Sequence, residues 1–137
     1  MAFLWKLRKK EKEEAEKTLT ELELLCADEP EVYEALKDTM FLDPRKIEYD
    51  IKEAAEKAKN FEKAKDYVKA AFWYRIAGGL ALYHGDVEKV KQFFGKLAKL
   101  RPDLNLKILE IPDKAVKKAK EYYEKYLKPE EEETFSS

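Results

Sequence analysis

Apolar residues recur along most of this chain at spacings of three and four, the signature of helices with one buried face. Between residues 11 and 26, Ala15, Leu19, Leu22 and Cys26 form one such stripe. Asp28-Glu29-Pro30-Glu31 interrupts it and predicts a new start, with Asp28 as cap and Glu31 as the acid of a capping box. Val32, Ala35, Leu36, Thr39 and Met40 give the next stripe. Asp43-Pro44 reads as another start, because proline is tolerated in a first turn; Ile47, Ile51, Ala54, Ala55 and Ala58 follow it. Asn60-Phe61 predicts a break, since asparagine accepts the left-handed conformation that ends helices.

Residues 62–83 are apolar almost all round: Tyr67, Val68, Ala71, Phe72, Trp73, Ile76, Ala77, Leu80 and Tyr83 leave little polar face. Such a helix is expected at the centre of a fold. Gly85-Asp86 ends it and caps the next helix, whose inner face is Val87, Val90, Phe94, Leu97 and Ala98. After Arg101-Pro102-Asp103, residues 104–111 alternate. A lone strand makes a poor sheet, so they predict an apolar connection laid on the core. Pro112 opens a last helix that buries Ala115, Val116, Ala119, Tyr122, Tyr123, Tyr126 and Leu127. The expectation is one all-α domain over residues 1–128, about six helices in antiparallel hairpins, then a disordered acidic tail over 129–137.

The break signals near 60 and 85 lie about 25 residues apart, and similar runs follow them, Phe61-Glu62-Lys63-Ala64 and Val87-Glu88-Lys89-Val90. Repeated hairpins of this kind suggest a helical array. Residues 71–104 resemble one tetratricopeptide (TPR) repeat. Gly78 stands at the small position where paired helices come closest, Gly85-Asp86 at the turn, Phe94 at the aromatic of the second helix and Pro102 at the terminating proline. Tyr74 stands where an aromatic, usually tryptophan, is expected. Val90 and Leu97 depart from small alanines, and Ala81 from a large aromatic. The resemblance implies peptide or protein binding on a concave face, which Arg75, Gly79 and Leu82 would line. The paired lysine and asparagine that grip a peptide carboxylate in some family members are not present.

The 137 residues balance 28 basic against 29 acidic side chains, a net charge of −1. That excludes a whole-domain electrostatic grip on nucleic acid. One cysteine allows no internal disulfide, and no run approaches the roughly 20 apolar residues of a membrane span. These features make a cytoplasmic protein the expectation. Dense Lys and Glu with one Gln and two Asn is the pattern of heat-adapted proteins, which predicts a thermophilic source.

Catalytic chemistry is thin. His84 and Cys26 are single, and no serine precedes Ser136. Cys26 lies on an apolar stripe, where a free thiol packs as a small hydrophobe. His84, at a helix C-terminus, is expected to satisfy end carbonyls. One His and one Cys do not make a zinc site, and no Gly-rich phosphate loop is present, so no cofactor and no enzyme activity are expected.

Two surfaces suggest partners. Phe3, Leu4, Trp5 and Leu7 form an apolar cluster cut off from the core stripe by charged residues 8–14, which is expected either to fold back onto the domain or a second copy or to make 1–10 a docking segment for a protein partner. Followed by Arg8-Lys9-Lys10, it also suits peripheral membrane contact. Lys114, Lys117, Lys118 and Lys125 share the outer face of the last helix and carry the alternative reading, a weak nucleic-acid site. Lys59, Lys63 and Lys65 mark another basic patch. The leading reading is a non-catalytic interaction module or small adaptor of TPR-like type.

Overall fold

The computed structural model describes residues 21–127, so the N-terminal cluster and the acidic tail lie outside the described residues. Among the described residues the fold is all-α. A helical segment at 21–25 precedes α1 (Pro30–Leu36), a 3-10 turn (Pro44–Lys46), α2 (Ile51–Lys63), α3 (Tyr67–His84), α4 (Val87–Leu100), a second 3-10 turn (Lys107–Leu109) and α5 (Pro112–Tyr126).

Two starts differ from the expectation. Asp28 does not cap α1. Its N-cap is Glu29, whose side chain makes no capping bond and reaches Lys118 of α5 at 3.2 Å instead. Proline at the first position removes one of the N–H groups that a helix start leaves without a partner. Asp43-Pro44 starts only a 3-10 turn, in which Asp43 accepts from the Arg45 backbone and holds its guanidinium at 3.0 Å. Ile47 is extended. The helix waits for Asp50, which accepts from Glu53 N at 2.7 Å while Glu53 accepts from Asp50 N at 3.2 Å, a reciprocal capping box.

The break after α2 falls at Lys65 rather than Asn60. Asn60 is inside the helix, its carbonyl taking Ala64 N at 3.1 Å. Lys65 takes the left-handed conformation (φ 63°), Lys65 N donates to Glu62 O and Asp66 N to Phe61 O. Gly85 (φ 70°) repeats this, Gly85 N donating to Leu82 O and Asp86 N to Ala81 O. Each turn is followed by an aspartate that caps the next helix through the backbone of a lysine three residues on, Asp66 to Lys69 and Asp86 to Lys89. The internal repeat is therefore Lys65-Asp66-x-x-Lys69 and Gly85-Asp86-x-x-Lys89, 20 residues apart rather than 25.

α2 and α4 both pack on α3, α5 and the first 3-10 turn touch it as well, and α1 packs on α5 and on the second 3-10 turn. Gly78 makes one approach possible: a Cβ there would stand 2.7 Å from the ring of Phe94, itself fully buried on α4. The alternating stretch 104–111 is the connection expected, with Ile108 buried in its 3-10 turn. α5 buries Ala115, Val116, Ala119, Tyr122 and Tyr123, and the Tyr123 hydroxyl donates to the carbonyl of Phe41.

Glycines on the two central helices give opposite expectations. Gly78→Leu should lower stability by several kcal/mol, because Phe94 has no room to yield. Gly95, within α4, meets nothing within 4 Å, so Gly95→Ala should raise stability by roughly 0.5–1 kcal/mol through helix propensity alone. Thermal melts of the two variants beside the wild type check both signs.

Candidate interaction surfaces

The strip of α3 expected to face a peptide groove is covered by the chain itself. A Cβ on Gly79 would collide with the ring of Phe41, and Leu82 is fully buried. Arg75 is exposed but engaged, its Nη2 donating to Asp38 O at 3.0 Å. It borders a cavity of about 250 Å³ lined also by Leu97, Leu104, Asn105 and Leu106. Gly79 and Leu82 are thus core positions, and the segment around Phe41 occupies the place a bound peptide was expected to take.

The four lysines of α5 do not act as one patch. Lys118 is 9% exposed, and its Nζ stands 3.2 Å from both Glu29 and Glu121. Burial alone would lower its pKa, but the bonds to Glu121 and Glu29 hold it above the usual lysine range. It is a structural cation, neutralised in place. Lys114 pairs with Glu31 at 3.7 Å, and Lys125 lies over the Tyr126 ring. Lys117 is exposed beside them. This pairing removes much of the charge on which the nucleic-acid reading rested.

Cys26 is 1% exposed, and burial pushes its thiol up, the opposite of an activated nucleophile. His84 is exposed beside Tyr83, ring centroids 5.3 Å apart. The backbone N–H groups of Gly85 and Asp86 already serve the carbonyls of Leu82 and Ala81, the role expected of its side chain. Among the described residues no group of three or more His, Cys, Asp or Glu is placed to hold a metal ion. No helix among them is long and apolar enough to cross a membrane.

An unexpected surface lies on α3 itself. Val68 is 82% and Phe72 57% exposed, although both read as core in the sequence. They stand one turn apart, on the face whose next turns meet Phe41. Phe72 meets Trp73 edge-on at 5.4 Å, and Trp73 meets Tyr49 edge-on at 4.9 Å. Lys57 of α2 holds its ammonium 5.3 Å from the Trp73 ring centroid and 5.5 Å from that of Tyr49. The result is a continuous apolar shelf of one aliphatic and three aromatic side chains with one cation at its edge. A helix apolar all round needs cover all round, and beyond Phe41 the described residues do not supply it. The signal was in the pattern: Val68, Phe72 and Ile76 recur every four residues on one stripe.

No family model, curated protein or solved structure matches the chain.

The buried tyrosines give a pH dependence. Burial raises the pKa of Tyr122 from 10.0 to about 12, with Glu21 adding to it, and burial likewise raises Tyr123 and Tyr74, the latter helped by its 2.6 Å hydrogen bond to Glu62. Each folded-state value lies above the unfolded one, so the unfolded chain loses these protons first. Stability from this source is complete below pH 10 and falls as pH rises toward 12. Melting temperature measured from pH 9 upward should drop steeply in the wild type and less steeply in Tyr122→Phe.

Proposed function

We propose that the protein is a non-catalytic interaction module that binds a partner protein through the shelf of Tyr49, Val68, Phe72 and Trp73. One observation carries this reading: the most central helix of the fold leaves Val68 82% and Phe72 57% exposed, side by side. Contiguous apolar surface on a folded domain marks an interaction site far more often than isolated exposed residues do. Aromatic anchors of this type dominate the energetics of protein interfaces. The occupant we assign is the apolar face of an amphipathic helix, read through residues spaced three and four apart.

The TPR-like reading supports the same function. What supports the resemblance is that α3 and α4 are joined at Gly85-Asp86 and that Gly78 stands against Phe94. The difference is the face used. A TPR-like module takes its ligand on the concave side, whereas this chain presents apolar surface where its own segment around Phe41 stops.

Val68→Glu combined with Phe72→Ser removes the two most exposed side chains of the shelf without touching the core. Both side chains are mostly exposed, so the melting temperature should shift by only a few degrees. The variant should lose a partner captured by the wild type from its source cells, or lose self-association in sedimentation if the partner is a second copy. Equal capture and equal sedimentation for the two proteins would sink the proposal.

A further inference from the structure

The face of α3 opposite the shelf carries a second surface of different chemistry. α2 and α4 flank α3 without closing over it, and the cleft between them holds two adjoining hollows of about 420 and 390 Å³ that share Lys59. Lys52, Lys59 and Lys63 stand along its α2 rim, and Lys89 and Lys96 along its α4 rim. Its floor is apolar, formed by Ile51, Ala55, Phe93 and the ring of Tyr74. Only Glu56 and Glu62 oppose five lysines there, a local charge of +3 on a chain whose net charge is −1.

Most of these lysines lack the neighbours that quiet lysines elsewhere. Lys37, Lys69, Lys91 and Lys107 each pair with an acid three residues away. Among the described residues, Lys52, Lys59, Lys63 and Lys96 have no carboxylate within ion-pair distance, and of the five only Lys89 has one, Asp86 at 3.9 Å. Two of the carboxylates that neighbour them are placed otherwise: Glu62 is held by the Tyr74 hydroxyl, and Glu53 closes the capping box of α2. The lysine rim from Lys52 to Lys63 runs about 16 Å along the helix, a length that about five residues of extended peptide would follow.

We infer that this cleft binds an acidic peptide segment that also carries apolar side chains. Its carboxylates meet the two lysine rims, and its apolar groups lie over Ile51, the one floor residue that is partly exposed. Single-stranded nucleic acid fits less well. The Tyr74 and Phe93 rings are 1% and 4% exposed and stack on each other at 6.4 Å, so neither is presented to a base. This inference is independent of the shelf, which lies on the other side of α3.

The test uses the full chain and a fluorescein-labelled peptide of alternating glutamate and leucine, followed by fluorescence anisotropy at low salt. Saturable binding is expected, weakened about tenfold by Lys59→Gln with Lys63→Gln and reduced by added salt. Lys96→Gln should weaken it from the opposite rim. Lys114→Gln with Lys117→Gln, and Phe72→Ser, should leave it unchanged, and circular dichroism should report the same helix content throughout. Three results would overturn the inference: no saturable binding, an equal loss from the α5 lysines, or tighter binding of a single-stranded oligonucleotide of equal charge.

Discussion

The adjacent glycines of α3 fix where its neighbours can lie. Successive residues on a helix point about 100° apart, so Gly78 and Gly79 open two different flanks at one level. Phe94 of α4 fills the first and Phe41, from the segment before the first 3-10 turn, fills the second. Each glycine costs about 1 kcal/mol of helix propensity. Burying a phenylalanine returns about 1.5–3 kcal/mol, and Phe94 is fully buried. The exchange is favourable, and it is directional. A ring that must sit on bare backbone holds its own element at one height along α3, which uniform packing of alanines would not do.

α5 is then fixed through Phe41 rather than through α3 alone. Tyr123 donates to the carbonyl of the residue whose ring covers Gly79, and Tyr83 of α3 meets the Tyr123 ring edge-on at 5.1 Å. Near the middle of α5, Lys118 binds Glu29, the residue that precedes α1 and fails to cap it. A carboxylate that left the helix end unserved is thereby used between elements. Among the described residues no buried side-chain nitrogen or oxygen lacks a hydrogen-bond partner, so these polar ties add register without an unpaired group.

The elements were legible in the sequence because helical periodicity is a local signal; the ends were legible only where one signal acted alone. Gly85-Asp86 read correctly, since glycine and an N-cap coincide there. Asn60 misled because a permissive residue does not oblige a break, and Lys65 hid the real one because lysine rarely accepts a left-handed φ. That conformation costs roughly 1–2 kcal/mol, outweighed here by the turn's backbone bonds and by Asp66 capping α3. Asp43 and Asp50 competed for one helix start, and the reciprocal bond with Glu53 decided it. Arg75, Gly79 and Leu82 were misplaced as a binding strip for a different reason. Whether a small-residue strip receives a ligand or the chain's own Phe41 depends on a contact nearly 40 residues away in sequence, which periodicity cannot report.

Exposure of the shelf has a further physical consequence. Loose aromatic side chains would lose rotamer freedom on binding, at about 0.5–1.5 kcal/mol each. Here Trp73 is held between Phe72 and Tyr49, and the ammonium of Lys57 lies over both the Trp73 and Tyr49 rings. These contacts order the rings before any partner arrives. Val68, being β-branched on a helix, has essentially one side-chain rotamer available. The shelf is therefore held in place by contacts internal to the domain, and its exposed apolar surface is preorganised.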